Sequence, residues 1–261
     1  MQLTVFASGS SGNCLLLSGG RTNILIDAGI STRRLAVLLD DCGLSLQDIG
    51  GVLITHEHSD HISGLKGLVK RSLCPIYAPR TVASCLRGIL PETEEKLHVI
   101  PVGEDFSIAS LTVRAFHTPH DTLESVGYRI SCGGVFAIAT DMGCVAEEVR
   151  ENLRGASTVL IESNHDENML RFGPYPAALK RRILSDHGHL SNEDCAALAR
   201  ELAESGTGTI ILGHLSRQNN TPSAALRTAK AALADLPVSV YCAPELGCLS
   251  LRVEEACLQS S

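Results

Sequence analysis

Thr55-His56-Glu57-His58-Ser59-Asp60-His61 directly follows the apolar run Val52-Leu53-Ile54 and holds three imidazoles and two carboxylates in seven residues. Because side chains alternate along an extended chain, a strand that runs into this stretch presents its first two histidines on the same side. The turn that follows brings Asp60 and His61 to a second position. Imidazole suits zinc, iron and manganese, and carboxylate adds a harder oxygen ligand. The stretch therefore predicts two neighbouring divalent metal ions rather than one buried structural zinc.

Further candidate ligands follow other predicted strands. The strand 111–116 runs into His117-Thr118-Pro119-His120, the strand 135–140 into Asp141, and the strand 209–213 into His214. The alternative to a metal site is a polar loop with solvated histidines. That alternative has to explain why the other strands also end in metal-ligand residues.

Composition and charge narrow the class of protein. The 261 residues are 44% hydrophobic and 20% charged, which is typical of a globular protein, and we expect one domain over residues 1–261. The sequence has no long apolar segment and no signal peptide at its start, which predicts a cytoplasmic protein without a membrane partner. The net charge of −7 argues against non-specific clamping of nucleic acid, but it leaves a nucleic-acid substrate open because bound metal ions neutralise acidic side chains.

The ten cysteines are scattered and form no Cys-x-x-Cys pair, so we expect most of them to be reduced core residues. The last four residues, 258–261, are expected to fray.

Apolar runs and helical patterns alternate along the chain and indicate an α/β protein. The predicted strands are Leu3–Phe6, Cys14–Leu17, Asn23–Ile26, Val52–Thr55, Pro75–Tyr77, His98–Ile100, Leu111–Phe116, Val126–Ile130, Val135–Thr140, Thr158–Glu162, Thr209–Gly213 and Val238–Tyr241. The predicted helices are Ser31–Cys42, Arg80–Leu90, Val145–Leu153, Ala177–Leu184, Asn192–Glu204 and Ser223–Ala234. Two sheets packed face to face, with helices outside both, would accommodate this order.

The order of the ligand motifs resembles that of the metallo-β-lactamase-fold hydrolases, and the resemblance covers nearly the whole chain. It implies a four-layer αβ/βα sandwich. It also implies a first metal ion on His56, His58 and His120, a second on Asp60, His61 and His214, and Asp141 as the bridge between them. His117 is a rival to His120, since both flank Thr118-Pro119. Asp27 matches a family position behind the metals, where it would orient a ligating imidazole, and a helix N-cap or an ordinary turn aspartate is the alternative.

Four segments resemble the YycJ-type exonucleases within this fold: residues 7–13, 162–166, 188–192 and 214–222. This resemblance implies a metal-dependent phosphodiesterase or exonuclease that hydrolyses DNA or RNA with a hydroxide activated by two divalent ions, which would be zinc, manganese or iron. The implied catalytic residues are Asp60 and His189, with His189 a proton donor or phosphate clamp. The implied contacts to substrate are Asn13, Asn164, His165, Ser216, Asn219 and Asn220.

Two alternatives of function stay open. The same fold hosts thioester, lactam and other small-ester hydrolases, because an activated hydroxide also attacks carbonyl groups. A metal-containing regulator that binds nucleic acid without cleaving it is the non-enzymatic alternative. The aromatic content of 3% leaves few side chains on which bases could stack, and Phe172 and Tyr175 are the best-placed candidates.

Overall fold

The computed structural model describes residues 1–254, so Cys257 and the predicted frayed end, 258–261, lie outside the described residues. Its strands are β1 (Gln2–Ala7), β2 (Cys14–Gly19), β3 (Thr22–Ile26), β4 (Ile49–Leu53), β5 (Ile76–Pro79), β6 (Leu97–Ile100), β7 (Asp105–Ile108), β8 (Leu111–His117), β9 (Val126–Ser131), β10 (Val135–Ala139), β11 (Thr158–Glu162), β12 (Thr209–Gly213), β13 (Ser239–Cys242) and β14 (Leu249–Arg252).

The α-helices are α1 (Thr32–Asp40), α2 (Ser59–Ile62), α3 (Leu65–Arg71), α4 (Arg80–Ile89), α5 (Glu147–Leu153), α6 (Glu167–Phe172), α7 (Ala177–Ile183), α8 (Asn192–Glu204) and α9 (Pro222–Ala232). Two short 3₁₀ helices span Leu46–Asp48 and Pro91–Lys96. Within residues 1–254 no helix has the length and apolarity needed to cross a bilayer.

The strands form two seven-stranded mixed sheets. The first has the order β14-β1-β2-β3-β4-β5-β6, and the second has the order β13-β12-β11-β10-β9-β8-β7. Strands β3 to β6 run parallel to one another, as do β10 to β13. The carboxyl ends of parallel strands share one edge of a sheet, so the loops that follow them are brought together.

Three apolar clusters account for the layers. The central cluster joins the facing sides of the two sheets, with Leu17 and Ile24 from the first and Val113 and Tyr128 from the second. A second cluster packs α1, α3 and α4 onto the first sheet, and a third packs α5, α8 and α9 onto the second. The predicted αβ/βα sandwich is therefore confirmed.

Several predicted boundaries were wrong. Strand β4 begins at Ile49 and ends at Leu53, so Thr55 lies beyond it rather than inside it. Strands β7 and β14 and helices α2, α3 and α6 were not predicted at all, and α2 replaces the turn expected after His58. Each has four to seven residues, too few to show a clear period, and α3 also contains Gly67, which weakens a helical pattern. All nine cysteines of the described residues are free thiols.

Candidate metal centre and substrate cavity

The candidate ligands come from loops that follow strands of both sheets. The motif that begins at His56 follows β4 in the first sheet. His120 follows β8, Asp141 follows β10 and His214 follows β12, all in the second sheet. The two sheets therefore meet in a shared cluster of imidazoles and carboxylates.

His56, His58 and His120 form the first group, in which one ligand atom from each residue lies within 4.8 Å of the others. The ring centroids of His56 and His120 are 5.2 Å apart, and those of His58 and His120 are 5.1 Å apart. His117, the rival of His120, has a 56% exposed side chain and faces Glu124 and Glu148 instead. Of these two histidines, the structure brings only His120 to the cluster.

Asp60, His61 and His214 form the second group, again with ligand atoms within 4.8 Å of one another. Asp141 lies between the two groups. Its Oδ2 is 3.3 Å from Nε2 of His61, and its Oδ1 is 3.5 Å from Nε2 of His214 and 3.7 Å from Nε2 of His120. One carboxylate thus reaches imidazoles of both groups, which is the position that a bridging ligand needs.

Buried polar atoms without partners show that this cluster fits divalent cations. Among the described residues, Nε2 of His56, Nε2 of His214 and Oδ2 of Asp141 are buried and have no hydrogen-bond partner. Leaving such atoms unsatisfied is costly, and imidazole nitrogens with carboxylate oxygens are the donor set of zinc, manganese and iron. The cluster is therefore chemically suited to bind metal ions.

Asp27 and Thr55 fix the imidazoles from behind. Oδ2 of Asp27 is 2.7 Å from Nδ1 of His61, and Oδ1 accepts the backbone N–H of Thr55 at 2.9 Å. The Thr55 hydroxyl lies 3.1 Å from Nδ1 of both His56 and His61. A hydrogen bond to one ring nitrogen orients the other towards a metal, so Asp27 occupies the position expected of an orienting carboxylate.

Glu162, at the end of β11, was missed as a site residue by the sequence analysis. Its carboxylate is fully buried, and Oε1 lies 2.7 Å from Nδ1 of His189 and 2.9 Å from Nδ1 of His214. Its Oε2 accepts the backbone N–H of Met142 at 2.9 Å. The signal in the sequence was a carboxylate that directly follows the apolar run Val159–Ile161, since a charge that ends a buried strand needs partners.

The carboxylates control the charge of these histidines. Burial lowers the pKa of His214, but Asp141, Asp60 and Glu162 outweigh it and raise the pKa to about 10. Burial likewise lowers the pKa of His189, and Glu162 overcomes that effect and raises the pKa above its ordinary value. In the metal-free protein His214 is therefore a charged imidazolium at neutral pH, and the charged form of His189 is favoured relative to a free imidazole.

The backbone is unusual at three residues of the cluster. Asp27, Asp141 and His214 have φ values of 59°, 56° and 55°, in the left-handed region that side chains other than glycine seldom adopt. Ala109 is the other such non-glycine residue within residues 1–254. This conformation costs free energy and is concentrated where side chains are held for function.

Three of the predicted substrate contacts lie at the cluster or beside it. The amide of Asn13 is held by Gly9, with its Nδ2 3.0 Å from Nε2 of His61. Asn164 and Ser216 line a cavity of about 180 Å³ that His189 also lines. All six predicted contacts are at most 8% exposed, and these three lie against a proposed ligand or on the wall of the cavity.

The other three predicted contacts are buried in the protein. His165 is 1% exposed, and both its ring nitrogens lack partners among the described residues. Asn219 is fully buried, and its amide donates to the Ser216 hydroxyl at 3.4 Å. Asn220 donates to the carbonyl of Ser163 at 2.8 Å. The asparagines build the loop beneath the site rather than its surface.

The two aromatic candidates differ in position. Tyr175 lines the cavity beside His189, whereas Phe172 is 85% exposed and does not line it. His98, expected to be structural, is exposed and packs against Tyr77 with ring centroids 5.4 Å apart.

Comparison with known proteins identifies relatives of this chain. A family model described as the beta-lactamase superfamily domain matches residues 22–215. Exodeoxyribonuclease YycJ of Bacillus anthracis is 36% identical over 84% of this chain and 84% of that protein. Exodeoxyribonuclease WalJ of Streptococcus pneumoniae is 35% identical over 91% of this chain and 90% of that protein.

Solved structures share the fold. Zinc-bound PqqB from Methylobacterium extorquens matches with a TM-score of 0.76 at 18% identity, over 97% of this chain and all of that one. The metallo-β-lactamase-fold protein YhfI from Bacillus subtilis matches with a TM-score of 0.71 at 16% identity. The chain therefore belongs to the beta-lactamase superfamily, in the branch that contains YycJ and WalJ.

Proposed function

We propose that this protein is a metal-dependent exonuclease that hydrolyses phosphodiester bonds in DNA. The observation that carries the choice of substrate is the 36% identity to an exodeoxyribonuclease, which extends over 84% of both chains. The metal cluster supports hydrolysis in general, since a water activated by divalent metal ions can attack phosphodiesters and other esters alike. Asn164 and Ser216, which line the cavity beside the cluster, belong to segments that resemble the nuclease branch.

The proposed ligand set follows the two groups. His56, His58 and His120 would hold one divalent ion, and Asp60, His61 and His214 the other, with Asp141 shared between them. The donor set accepts zinc, manganese or iron. Two divalent ions bound there supply Lewis acidity, which activates a water molecule for attack on phosphorus and stabilises charge on the departing oxygen.

Asp60 is suited to orient the attacking water. Its side chain is 22% exposed, whereas that of Asp141 is 3% exposed, so Asp60 is the more accessible of these two carboxylates. Burial raises the pKa of Asp60, but the imidazoles of His214 and His61, each 3.5 Å from its Oδ2, outweigh burial and hold the pKa well below its ordinary value. The group is therefore ionised and can accept a hydrogen bond from the water.

His189 is suited to protonate the departing oxygen. Glu162 bonds its Nδ1, which leaves Nε2 available to a substrate in the adjoining cavity. The raised pKa of His189 keeps the proton on the ring until charge develops on the leaving group. Glu162 acts through His189 and His214 as a positioning residue.

The proposal is tested with end-labelled single- and double-stranded DNA and RNA, incubated with protein loaded with zinc or manganese and with metal-free protein. We expect metal-dependent release of mononucleotides from DNA. Binding without cleavage would instead support a regulator, and turnover of thioesters or lactams without nuclease activity would support a small-ester hydrolase. Either result overturns the proposal.

A pair of histidine variants tests the ligand assignment. His56→Ala should lose bound metal and nuclease activity together, because it removes a proposed ligand. His98→Ala is the matched control, since His98 is exposed and packs only beside the Tyr77 ring. Native metal content and activity in His56→Ala would show that the assignment is wrong.

A further inference from the structure

The cavity beside His189 lies between the proposed metal ligands and helix α7. Gly188 and His189 form one wall of the cavity. The carbonyl oxygen of Gly188 lies 3.2 Å from Nδ1 of His120, one of the proposed ligands. Tyr175 and residues of α7 form another wall. A group bound in this cavity would therefore touch both the proposed proton donor and α7.

Helix α7 presents an apolar face to the cavity. Leu179 and Ile183 are four residues apart, so they share one side of the helix, and both line the cavity together with Tyr175. The helix has no fully buried residue and lies at the surface. This apolar lining suits the face of a nucleobase, which stacks on or packs against such side chains.

Polar hydrogen-bond donors line the same cavity. The Ser216 hydroxyl oxygen accepts two N–H groups from Asn219, at 3.3 and 3.4 Å, which leaves its own proton to donate. Arg182 is the only lysine or arginine among the residues that line it. The hydrogen-bond donors and the cation match the phosphate of a nucleotide, and the adjacent apolar face matches its base.

The ion pair between Arg182 and Asp121 determines which nitrogens of the guanidinium remain free to bind a ligand. Nε of Arg182 donates to Oδ2 of Asp121, in the loop directly after His120. No other hydrogen bond of this guanidinium is found within residues 1–254. Because a guanidinium has five N–H donors, the terminal nitrogens stay available for phosphate, with which they pair in fork geometry.

The size of the cavity limits its occupant. Its volume of about 180 Å³ is below the roughly 300–1,000 Å³ typical of pockets for drug-sized ligands. The cavity can take the phosphate and one face of the base of a single nucleotide, with the rest of that nucleotide outside it, and not several consecutive nucleotides. A cavity of this size beside the reacting groups suits the last nucleotide of a strand.

We infer that this cavity is the subsite for the terminal nucleotide of the DNA strand. Arg182 and Ser216 bind oxygens of its phosphate, and the face of α7 with Tyr175 contacts its base. The inference rests on the proposed nuclease function and adds the residues that recognise a strand end.

The test compares Arg182→Ala with Arg181→Ala in metal-loaded protein. Arg181 is the matched control, because it is an exposed arginine next in sequence on the same helix but does not line the cavity. Binding of labelled dAMP is measured by equilibrium dialysis, which needs no turnover. We expect Arg182→Ala to weaken dAMP binding by about tenfold or more, as the loss of a charge-assisted hydrogen bond implies. Arg181→Ala should bind dAMP like the wild type.

Kinetics provide the second readout. In Arg182→Ala the KM for a single-stranded oligonucleotide should rise about tenfold. The KM of Arg182→Lys, which keeps the charge but loses the fork geometry, should lie between those of the wild type and Arg182→Ala. The slope of log KM against log salt concentration should fall by about 1 in Arg182→Ala, which corresponds to the loss of one phosphate contact. Equal dAMP affinity in Arg182→Ala and Arg181→Ala overturns the inference. Absence of nucleotide release by the wild type overturns the proposed function instead.

Discussion

Glu162 shows how one side chain can connect two parts of a reaction centre. The same oxygen, Oε1, contacts His214, a proposed metal ligand, and His189, the proposed proton donor. Burial raises the pKa of Glu162, but the two histidines outweigh it and lower the pKa to about 2. The carboxylate therefore stays charged although it is fully buried.

Glu162→Gln tests this connection, because it preserves the shape of the side chain and removes its charge. We expect metal affinity to fall by about 10- to 100-fold, the usual effect of losing a partner behind a ligating histidine. The alkaline limb of the pH profile of kcat should also move to lower pH, because His189 would lose the charge that raises its pKa. Metal competition titrations and the pH profile provide the measurements.

Glu167→Gln is the control for that variant, since Glu167 is partly exposed and its one ion pair within residues 1–254 is with Arg171 on α6. Glu167→Gln should leave the metal affinity and the pH profile of kcat unchanged. Identical metal affinity and pH profiles in the two variants would contradict a positioning role for Glu162.

At the residue scale, the sequence predicts side chains whose chemistry is evident from local spacing. His56, His58 and Asp60 stand close together in one motif, so their type and order indicate metal without a structure. Glu162 could not be assigned in this way, because its partners His189 and His214 are 27 and 52 residues away. Nor did the sequence distinguish Asn164, which lines the cavity, from Asn219, which is buried beneath it.

At the scale of elements, α8 begins three residues after His189. Its N-terminus is capped by Ser191, whose hydroxyl accepts the backbone N–H of Asp194 at 3.0 Å. The backbone N–H of Asn192 also donates to the carbonyl of His165, which ties the start of the helix to the loop after β11. The start of α8 thus supports two of the four segments that resemble the nuclease branch, residues 162–166 and 188–192.

Ser191→Ala should lower the free energy of unfolding by about 1 kcal/mol, because it removes the N-cap hydrogen bond. Urea denaturation checks this value. Ser205→Ala, at the other end of the same helix, should change stability by less than about 0.5 kcal/mol, because Ser205 is exposed. Superimposable unfolding curves for Ser191→Ala and the wild type would contradict the importance of the cap.

The elements that the sequence predicted well are long or uniformly apolar. Helix α8 and strands β11 and β12 have the predicted bounds, since thirteen residues of amphipathic pattern, or three consecutive large aliphatic residues in the middle of a strand, leave little ambiguity. The start of β4 was placed too late because Gly50 and Gly51 lack strand propensity. Pairing with β3, where Ile49 lies opposite Asn23 and Gly51 opposite Ile24, imposes the extended conformation there, and this tertiary effect cannot be inferred from local sequence.

At the scale of the whole molecule, the metal cluster joins the two sheets. The first sheet supplies His56, His58, Asp60 and His61, and the second supplies His120, Asp141 and His214. Ions bound by both sets would resist separation of the sheets. Metal binding should therefore contribute to the stability of the fold as well as to its activity.

Metal removal tests this coupling. A ligand that binds only the folded state stabilises it by about 2.7 kcal/mol when its concentration is 100 times Kd. We expect Tm to fall on chelation and to rise with added zinc or manganese, as measured by differential scanning calorimetry. His56→Ala should show a much smaller response. Equal Tm values for the loaded and the chelated wild type would contradict the predicted coupling.

Strand β14 has a consequence for the integrity of the chain. Residues Leu249–Arg252 pair antiparallel with β1 from Val5 to Gln2, so they cover what would otherwise be the outer edge of the first sheet. Cleavage by a protease before Leu249 would uncover the apolar strand β1 and leave its backbone groups free to recruit a strand from another molecule. A trimmed protein should therefore aggregate, which light scattering would detect. The four residues of β14 therefore protect the edge of β1 from pairing with another molecule.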